Sequence, residues 1–162
     1  MEVYINKSLK IINMKYAILA FFVLFSSVAT KSQSTGCISG SCTDGFGKYI
    51  YTNGYVFEGN FVDSLRVGLG KLNTPAGDSY DGMWAKDQFN GQGTYKWADG
   101  SKYTGEWKNG VQDGYGIFFY PNGDKYTGYF RNNKFQGEGK YTWADGSTQE
   151  GLYENGSYKG KI

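Results

Sequence analysis

Two cysteines, three aspartates and one glycine-rich segment are the features of this chain whose residue types and spacing could support chemistry. Cys37 and Cys42 are the only cysteines. In an exported protein they would close a small disulfide loop that holds the first strand as an end cap. The alternative is a metal or redox pair, but a chain without histidine lacks the four ligands that zinc requires here. We therefore expect a candidate disulfide, no metal site and no cofactor.

The aspartates are the remaining candidates for acid–base catalysis, because histidine, the most frequent catalytic base, is absent. Asp99, Asp124 and Asp145 recur near predicted turns. Turns favour aspartate for backbone reasons alone, and no other group completes a catalytic set. The sequence therefore predicts no catalytic residue, and we do not expect an enzyme.

The glycine-rich segment runs from Gly137 to Tyr141 and superficially resembles a phosphate-binding loop. Its spacing is wrong, and neither serine nor threonine follows Lys140. A longer repeat already accounts for Gly137 and Gly139, so we assign no phosphate site.

That repeat is 23 residues long, and it supplies the elements that position all of these residues. Three glycine series keep this step without a slip. They are Gly59, Gly82, Gly105, Gly128 and Gly151; Gly47, Gly70, Gly93, Gly116 and Gly139; and Gly54, Gly77, Gly100, Gly123 and Gly146. A fixed period of this length indicates a tandem array.

Each repeat predicts a two-stranded hairpin. In residues 101–123 the rings and glycines alternate, which places each set on one face of a strand. These sets are Tyr103, Gly105 and Trp107, then Gly114, Gly116, Phe118 and Tyr120. Asn109-Gly110 favours a tight turn within the unit, and a three-residue turn such as 121–123 leads into the next unit. The prediction is an all-β fold: an elongated, twisted antiparallel meander in a single open sheet of roughly ten strands.

The glycines inside the strands share one face with the aromatic side chains, and we call it the ring face. Glycine in a strand normally weakens it, so these glycines need a packing role. We expect them to leave hollows that accept rings from adjacent strands and from the neighbouring hairpin. Aromatic pairs contribute about 0.5 to 1.5 kcal/mol each beyond area burial, so the rings would form the core.

The unit Tyr-Xaa-Gly-Xaa-Trp/Phe, followed by a turn and Gly-Xaa-Gly-Xaa-Tyr/Phe, resembles the MORN (membrane occupation and recognition nexus) repeat. It appears as YDGMW with GQGTY, YTGEW with GYGIF, YTGYF with GEGKY, and FEGNF with GLGKL. The resemblance covers residues 45–155 and departs from the pattern at Phe57, Leu72 and Gln149. It implies an elongated sheet used for protein contacts, for homodimerisation or for phospholipid association.

Residues 1–30 have the layout of a secretory signal peptide. Three lysines precede an apolar run at 16–25, and small residues follow it, with cleavage expected after Ala29 or Thr30. Met14 is an alternative start, and an uncleaved amphipathic anchor is the alternative to cleavage. We expect export through the secretory pathway to a periplasmic, cell-envelope or extracellular location.

The remaining chain divides into a short linker or N-terminal cap at 31–44, the repeat array at 45–155 and a C-terminal tail at 156–162. Loss of the leader removes Lys7, Lys10, Lys15 and Glu2, which leaves a mature chain of about zero net charge. Without a basic excess, nucleic acid has no long-range attraction for it, and an anionic membrane has little. We predict no nucleic-acid partner and keep membrane lipid as a lesser alternative.

One place departs from the polar pattern of the face opposite the rings, which we call the opposite face. Tyr115, Ile117 and Phe119 share that face, and a three-residue turn at 121–123 would set Tyr115 opposite Tyr129. We call these four residues the apolar patch. Exposed apolar patches often mark contact sites, so we predict a protein or self-association surface. The alternatives are that the sheet folds over the patch or that one repeat tolerates hydrophobic residues.

The sequence thus predicts an exported, non-enzymatic scaffold or protein-binding module. A peripheral membrane or phospholipid-binding protein is the first alternative. A carbohydrate-binding module is the second, since rows of exposed tyrosine and tryptophan could stack on sugar rings.

Overall fold

A computed structural model describes residues 34–162, which form one open antiparallel sheet of twelve strands in chain order. The strands are β1 Gly36–Gly40, β2 Gly45–Ile50, β3 Val56–Val62, β4 Leu65–Asn73, β5 Ser79–Ala85, β6 Gln88–Lys96, β7 Lys102–Lys108, β8 Val111–Phe119, β9 Lys125–Arg131, β10 Lys134–Thr142, β11 Thr148–Glu154 and β12 Ser157–Gly160. The predicted all-β meander of tandem hairpins in a single open sheet is confirmed.

The sheet has two strands more than the expected ten. β1 lies in the segment expected to be a linker or cap, and β12 lies in the expected C-terminal tail. The predicted signal peptide, residues 1–30, lies outside the described residues. Within residues 34–162, no helix is long and apolar enough to cross a membrane.

Two kinds of turn alternate along the meander, as the sequence predicts. Inside a unit, Asn109 and Gly110 have φ angles of 50° and 82°, the left-handed pair of a tight hairpin turn. Between units, the Trp97 amide donates to the Ser101 carbonyl at 2.9 Å, and Gly100 takes a left-handed φ of 92°. These turns set the register of every strand pair.

That register aligns one glycine from each strand between β2 and β11 into a single row across the sheet. The row is Gly47, Gly59, Gly70, Gly82, Gly93, Gly105, Gly116, Gly128, Gly139 and Gly151. We call it the glycine row. Because ten adjacent strands lack a side chain at the same level, the ring face carries a continuous channel there.

The channel is filled by the first aromatic ring of each unit. The ring of Tyr103 lies over Gly105 of its own strand and Gly116 of the next, and it is fully buried. Its hydroxyl donates to the Glu106 carbonyl at 3.0 Å. Phe57, Tyr80 and Tyr126 occupy the same place in the other units and are also fully buried. The expectation that rings fill glycine hollows is therefore right, but each of these rings comes from its own hairpin and not from the neighbouring one.

Contact with the preceding hairpin is made by the second ring of the unit. The indole Nε1 of Trp107 donates to the Gly93 carbonyl at 3.2 Å, and the Trp107 ring packs edge-on against Tyr80 with centroids 5.6 Å apart. Trp84 repeats this bond to Gly70 at 3.0 Å. The first ring of a unit therefore packs within its own hairpin. The second ring contacts the preceding hairpin and so connects neighbouring units.

A fourth glycine series corrects one part of the sequence interpretation. Gly114 was assigned to the regular alternation of its strand, but it has a φ of 116° and lies where the register between β7 and β8 shifts. Gly68, Gly91 and Gly137 take the same place in the other units, all with left-handed φ. Each hairpin thus contains a β-bulge at a glycine that adopts a conformation costly for other residues.

Gly116→Ala tests the glycine row. A methyl group on Gly116 would lie 2.6 Å from Cε2 and Cζ of Tyr103, so the ring must leave its channel and its hydrogen bond. We expect the variant to lose about 3 kcal/mol of unfolding free energy, measured as the shift of its urea midpoint.

Gly110→Ala is the matched control. Nothing lies within 4 Å of the added methyl group, and only the left-handed φ of the turn opposes it. This change should cost about 1 kcal/mol. Equal midpoints for the two variants would contradict the packing role of the row.

Candidate interaction surface

The apolar patch lies on the opposite face of β8 and β9. Ile117 pairs with Thr104 on one side and Thr127 on the other, and Phe119 pairs with Lys102 and Lys125. Tyr115 stands directly opposite Tyr129, so the predicted register is confirmed. The two tyrosine rings meet edge-on with centroids 5.3 Å apart.

The patch is accessible in the open sheet. Tyr115 and Tyr129 expose 47% and 52% of their surface, and Ile117 and Phe119 are half-buried. Within residues 34–162, the sheet does not fold over the patch. About half of each tyrosine is thus available to a partner.

Charged residues border the patch in an ordered way, and the sequence interpretation did not identify them. Nine side chains form three rows across β7, β8 and β9, and Glu106 joins its row through a hydrogen bond to Tyr115 and not as a register partner. The basic row is Lys102, Phe119 and Lys125; the middle row is Thr104, Ile117 and Thr127; the tyrosine row is Glu106, Tyr115 and Tyr129. Part of the signal was present, because the predicted turn at 121–123 that sets Tyr115 opposite Tyr129 also sets Phe119 opposite Lys125. The pairing of Lys102 with Phe119 depends on the register shift at the bulge.

Contacts inside the rows hold the charged groups beside the rings. The Lys102 Nζ atom lies 4.1 Å from the centroid of the Phe119 ring, a cation–π contact. One carboxylate oxygen of Glu106 accepts the Tyr115 amide at 3.2 Å, next to the bulge glycine. The patch is therefore apolar in its middle, basic along one border and acidic at the opposite corner.

The ring face offers less to a ligand. Tyr80, Tyr103 and Tyr126 are fully buried, and Trp84 and Trp107 are nearly so. Rings with more exposure lie near the turns between units, among them Trp143 and Tyr55. Sugar stacking, which needs open ring faces, would depend on these edge rings.

One cation stands on the ring face, at Arg66. Its guanidinium carbon lies 4.3 Å from the Trp84 ring centroid, and its Nε donates to Asp87 Oδ1 at 2.8 Å. Phe89 and Phe135 occupy the corresponding place one and three units later, each stacked on the tyrosine of its own hairpin. The Arg66 side chain thus packs over the rings of the ring face in the place that phenylalanine takes in other units. Its positive charge is paired with Asp87.

Two of the three candidate aspartates serve the turns. Asp99 Oδ1 accepts the Ser101 amide at 2.8 Å, and Asp145 Oδ1 accepts the Ser147 amide at 2.8 Å. The hydrogen bonds from Ser101 and Ser147 hold the pKa of each carboxyl below its usual range. Both side chains act locally, as the turn interpretation states.

Asp124 links the turn before β9 to the end of β10 and the turn that follows it. Its carboxylate accepts the Tyr141 hydroxyl at 2.8 Å and the Ala144 amide at 2.8 Å, and it is buried. The hydrogen bond from Tyr141 holds the Asp124 pKa below its usual range. Asp78 makes the same bonds to Tyr95 and Ala98 two units earlier. Burial, together with the bond to Asp78, raises the pKa of Tyr95 to about 12, so this phenol remains a donor well above neutral pH.

The intervening unit places Ser101 at this position. The residues that would face it are Phe118, which has no hydroxyl, and Pro121, which has no amide hydrogen. Aspartate thus occupies this position where a tyrosine hydroxyl and an alanine amide can donate to it. Serine occupies it where neither donor is present. From Asp78 to Asp124 this position therefore alternates between an aspartate with two donors and a serine with neither.

Cys37 and Cys42 are joined by a disulfide bond in the structure, with 5.8 Å between their Cα atoms. Cys37 belongs to β1, and Cys42 precedes β2. The bond ties the edge strand to the turn that follows it. Residues 34–162 contain no group of three potential metal-binding side chains.

The family comparison agrees with this repeated geometry. A family model described as MORN repeat matches residues 43–54, 57–79, 80–102, 103–125 and 126–148, well over half of the chain. A comparison with curated proteins found no match.

Asp124→Asn tests the link between units through its pH dependence. A carboxyl whose pKa is lower in the folded chain stabilises the fold above its unfolded pKa of about 3.9 and loses this effect as the pH falls through the folded value. We expect the variant to have a lower urea midpoint at pH 7. The deficit should shrink as the pH falls from about 3.9 towards the lower folded pKa of Asp124.

Ser101→Ala is the control at the equivalent position. It removes no titrating group, so its midpoint difference from the wild type should not change with pH. A constant deficit for Asp124→Asn between pH 7 and pH 3 would show that the carboxylate charge does not stabilise the link.

Proposed function

The chain belongs to the MORN repeat family, whose repeats are generally protein- or membrane-binding, and we propose that it is an exported, non-enzymatic scaffold. In this proposal its protein-binding surface is the apolar patch. The supporting observation is the pair Tyr115 and Tyr129, half-exposed along one side of an ordered set of apolar and charged side chains. Aromatic residues in such surroundings commonly carry most of the binding energy at protein interfaces.

A binding role also fits the use of the other conspicuous side chains. The carboxylates near the turns are engaged in backbone or inter-unit hydrogen bonds, and the buried tyrosines donate to main-chain carbonyls. The repeat family is a binding family and not an enzymatic one. The chemistry expected of the surface is therefore recognition.

Export is supported by two features. The sequence of residues 1–30 has the three-part layout of a cleaved leader. The disulfide between Cys37 and Cys42 suits an oxidising compartment, since disulfides seldom persist in the cytosol.

Membrane association is the second candidate, and one observation favours it. Lys96 lies directly opposite Lys102 on the opposite face, and Lys125 follows beyond Phe119. This short basic border could touch anionic head groups. Flotation with anionic vesicles at two salt concentrations separates the candidates, because electrostatic attachment weakens as the Debye length falls.

Replacement of Ile117 and Phe119 by threonine tests the protein-binding surface. Both side chains are half-buried on an open face, so the fold should survive while apolar contact area is lost. We expect weaker capture of co-purifying proteins and a smaller assembly size, measured by affinity capture and light scattering. Unchanged association in a folded variant would contradict the proposal.

The matched control is Thr94→Ser with Lys96→Gln, at the same two positions one unit earlier. These residues lie on the same face but outside the patch. Capture by this variant should equal that of the wild type. An equal loss in both variants would indicate a general effect on the sheet.

Export and the disulfide are tested together by the intact mass of the chain recovered from its native host. We expect a mature protein beginning after Ala29 or Thr30, whose mass rises by two hydrogen atoms on reduction. Reduction should also lower the urea midpoint, because opening a short loop removes about 2 kcal/mol of stabilisation. A full-length mass, or thiols that react without reductant, would oppose export.

A further inference from the structure

One position on the ring face lacks the ring that covers it in the neighbouring units. Phe89 and Phe135 stack on the first ring of their own hairpins, with centroids 3.8 and 3.7 Å apart. Gln112 takes this place in the unit between them, where it pairs with Trp107 in the register of β7 and β8. A glutamine side chain lacks the width of a phenyl ring, and a cleft of about 280 Å³ lies beside it. We call it the Gln112 cleft.

Aromatic rings line most of the Gln112 cleft, and few polar groups reach it. The rings are Phe118, Tyr120, Phe130 and Phe135, and the side chains of Gln112 and Lys134 supply polar groups. Small-molecule sites commonly combine an apolar lining with a few well-placed polar groups. The positive charge of Lys134 opposes a cationic ligand, so the cleft favours a ligand that is neutral or acidic.

The side-chain amide of Gln112 is the polar group best placed for recognition. The residue exposes only 6% of its surface, and its backbone exchanges two hydrogen bonds with Asn133, at 2.8 and 3.0 Å. Within residues 34–162, its side-chain amide forms no hydrogen bond, although every fully enclosed side-chain nitrogen or oxygen there has a partner. This amide therefore reaches the open space of the cleft, where it offers one acceptor and two donor hydrogens to a ligand.

An acetamido group matches the chemistry of this cleft. Its N–H and C=O groups complement the acceptor and the donors of the Gln112 amide. Its methyl group fills apolar space between the rings without burying a further polar atom. A hydroxyl group would leave that apolar space empty, and an ammonium group would be repelled by Lys134.

A line of partly exposed rings passes the cleft and favours a sugar as the carrier of the acetamido group. Its members are Tyr95, Trp97, Phe118, Tyr120, Tyr141 and Trp143, none of them buried. Neighbouring ring centroids in this line lie 4.6 to 5.8 Å apart. The C–H faces of a pyranose pack well on the negatively polarised face of an aromatic ring. We call this set the ring line.

The spacing of the ring line suits an extended glycan. Its rings come in pairs, one pair per unit, and a unit advances the sheet by two strands, or roughly 10 Å. That step is close to the length of two sugar residues in an extended β-1,4-linked chain. Successive disaccharides can therefore meet successive ring pairs.

We propose that the Gln112 cleft binds an N-acetylated hexosamine residue of an extended β-linked glycan that lies across the strands along the ring line. Gln112 pairs with the acetamido group, while Phe118 and Tyr120 pack against the sugar. The site lies on the ring face, whereas the apolar patch lies on the opposite face. It is thus a second binding function, independent of the protein partner proposed above.

Three hexasaccharides that share the β-1,4 linkage and differ in one substituent test the assignment. Chitohexaose carries an acetamido group, cellohexaose a hydroxyl group, and the glucosamine hexamer an amine. We expect the full chain to bind chitohexaose at least about tenfold more tightly than the other two, because they lose the amide pair and the methyl contact. Isothermal titration calorimetry measures the affinities. In saturation-transfer NMR, the acetamido methyl protons should receive the strongest saturation.

Two variants of Gln112 separate the site from the fold. Gln112→Phe restores the ring that Phe89 and Phe135 supply in the neighbouring units, so its urea midpoint should equal or exceed that of the wild type. It fills the cleft and should weaken chitohexaose binding at least about tenfold. Gln112→Met keeps the length of the side chain without its amide, so it should bind chitohexaose and cellohexaose with similar affinity.

A peptide that carries acetyl-lysine presents the same acetamido group from a protein source. It has no pyranose to pack on the ring line, so we expect it to bind at least about tenfold more weakly than chitohexaose. The variant with Ile117 and Phe119 replaced by threonine is altered on the opposite face only. It should bind chitohexaose as the wild type does.

The results have distinct meanings. Preference for chitohexaose that is lost in folded Gln112→Phe supports the proposal. A wild-type chain that does not bind chitohexaose, equal affinity for chitohexaose and cellohexaose, or unchanged binding in folded Gln112→Phe overturns it. Equal affinity for the acetyl-lysine peptide overturns the glycan as the ligand. None of these failures affects the proposed protein-binding function, which is measured by capture with the variant of Ile117 and Phe119.

Discussion

The absence of side chains along one line of the sheet is the constraint on which the rest of this structure depends. A single open sheet has no second layer to cover its apolar face, so it must bury that face with its own residues. The glycine row lets one ring per unit sink onto the backbone of two strands, where Tyr103 and its equivalents become fully buried. Each sunken ring then packs against the second ring of the following unit, as Tyr80 does against Trp107 and Tyr103 against Phe130. Burial in this fold is therefore a property of hairpin pairs and not of a central core.

Because the ring face supplies the packing, the ring face and the opposite face of the sheet have different roles. The ring face is committed to stability, since its large side chains are packed on each other and their polar atoms are bonded to the main chain. The opposite face carries pairwise polar contacts, such as the Thr94–Thr104 hydrogen bond and the Lys48–Glu58 ion pair, and its side chains lie outside the aromatic core. The apolar patch and its charged borders lie on that face. This division explains why a binding surface can be read there against a background of threonine, lysine and glutamate.

Much of the fold follows from the sequence because the period is strict. The turn residues set the strand register, and that register correctly places Tyr115 opposite Tyr129. The bulge at Gly114 could not be read in the same way, because its series shares the 23-residue step of the ring-face glycines and residue type alone does not reveal a left-handed φ. The prediction of which hairpin supplies each buried ring was also wrong. Alternation assigns Tyr103 to the ring face but does not show which way its side chain leans along that face. The place of Lys102 and Glu106 beside the patch was missed because the bulge at Gly114 shifts the register between β7 and β8. The role of the patch remains a prediction.

The alternation between aspartate and serine at the unit junctions has a consequence for how such an array can change in length. Asp78 and Asp124 each accept a tyrosine hydroxyl and an alanine amide 17 and 20 residues further along the chain, whereas Ser101 faces phenylalanine and proline at those distances. Each aspartate and both of its donors therefore lie within a single 23-residue step. Excision of residues 101–123, which contain the serine junction and the two strands β7 and β8, would shorten the sheet without removing either carboxylate link.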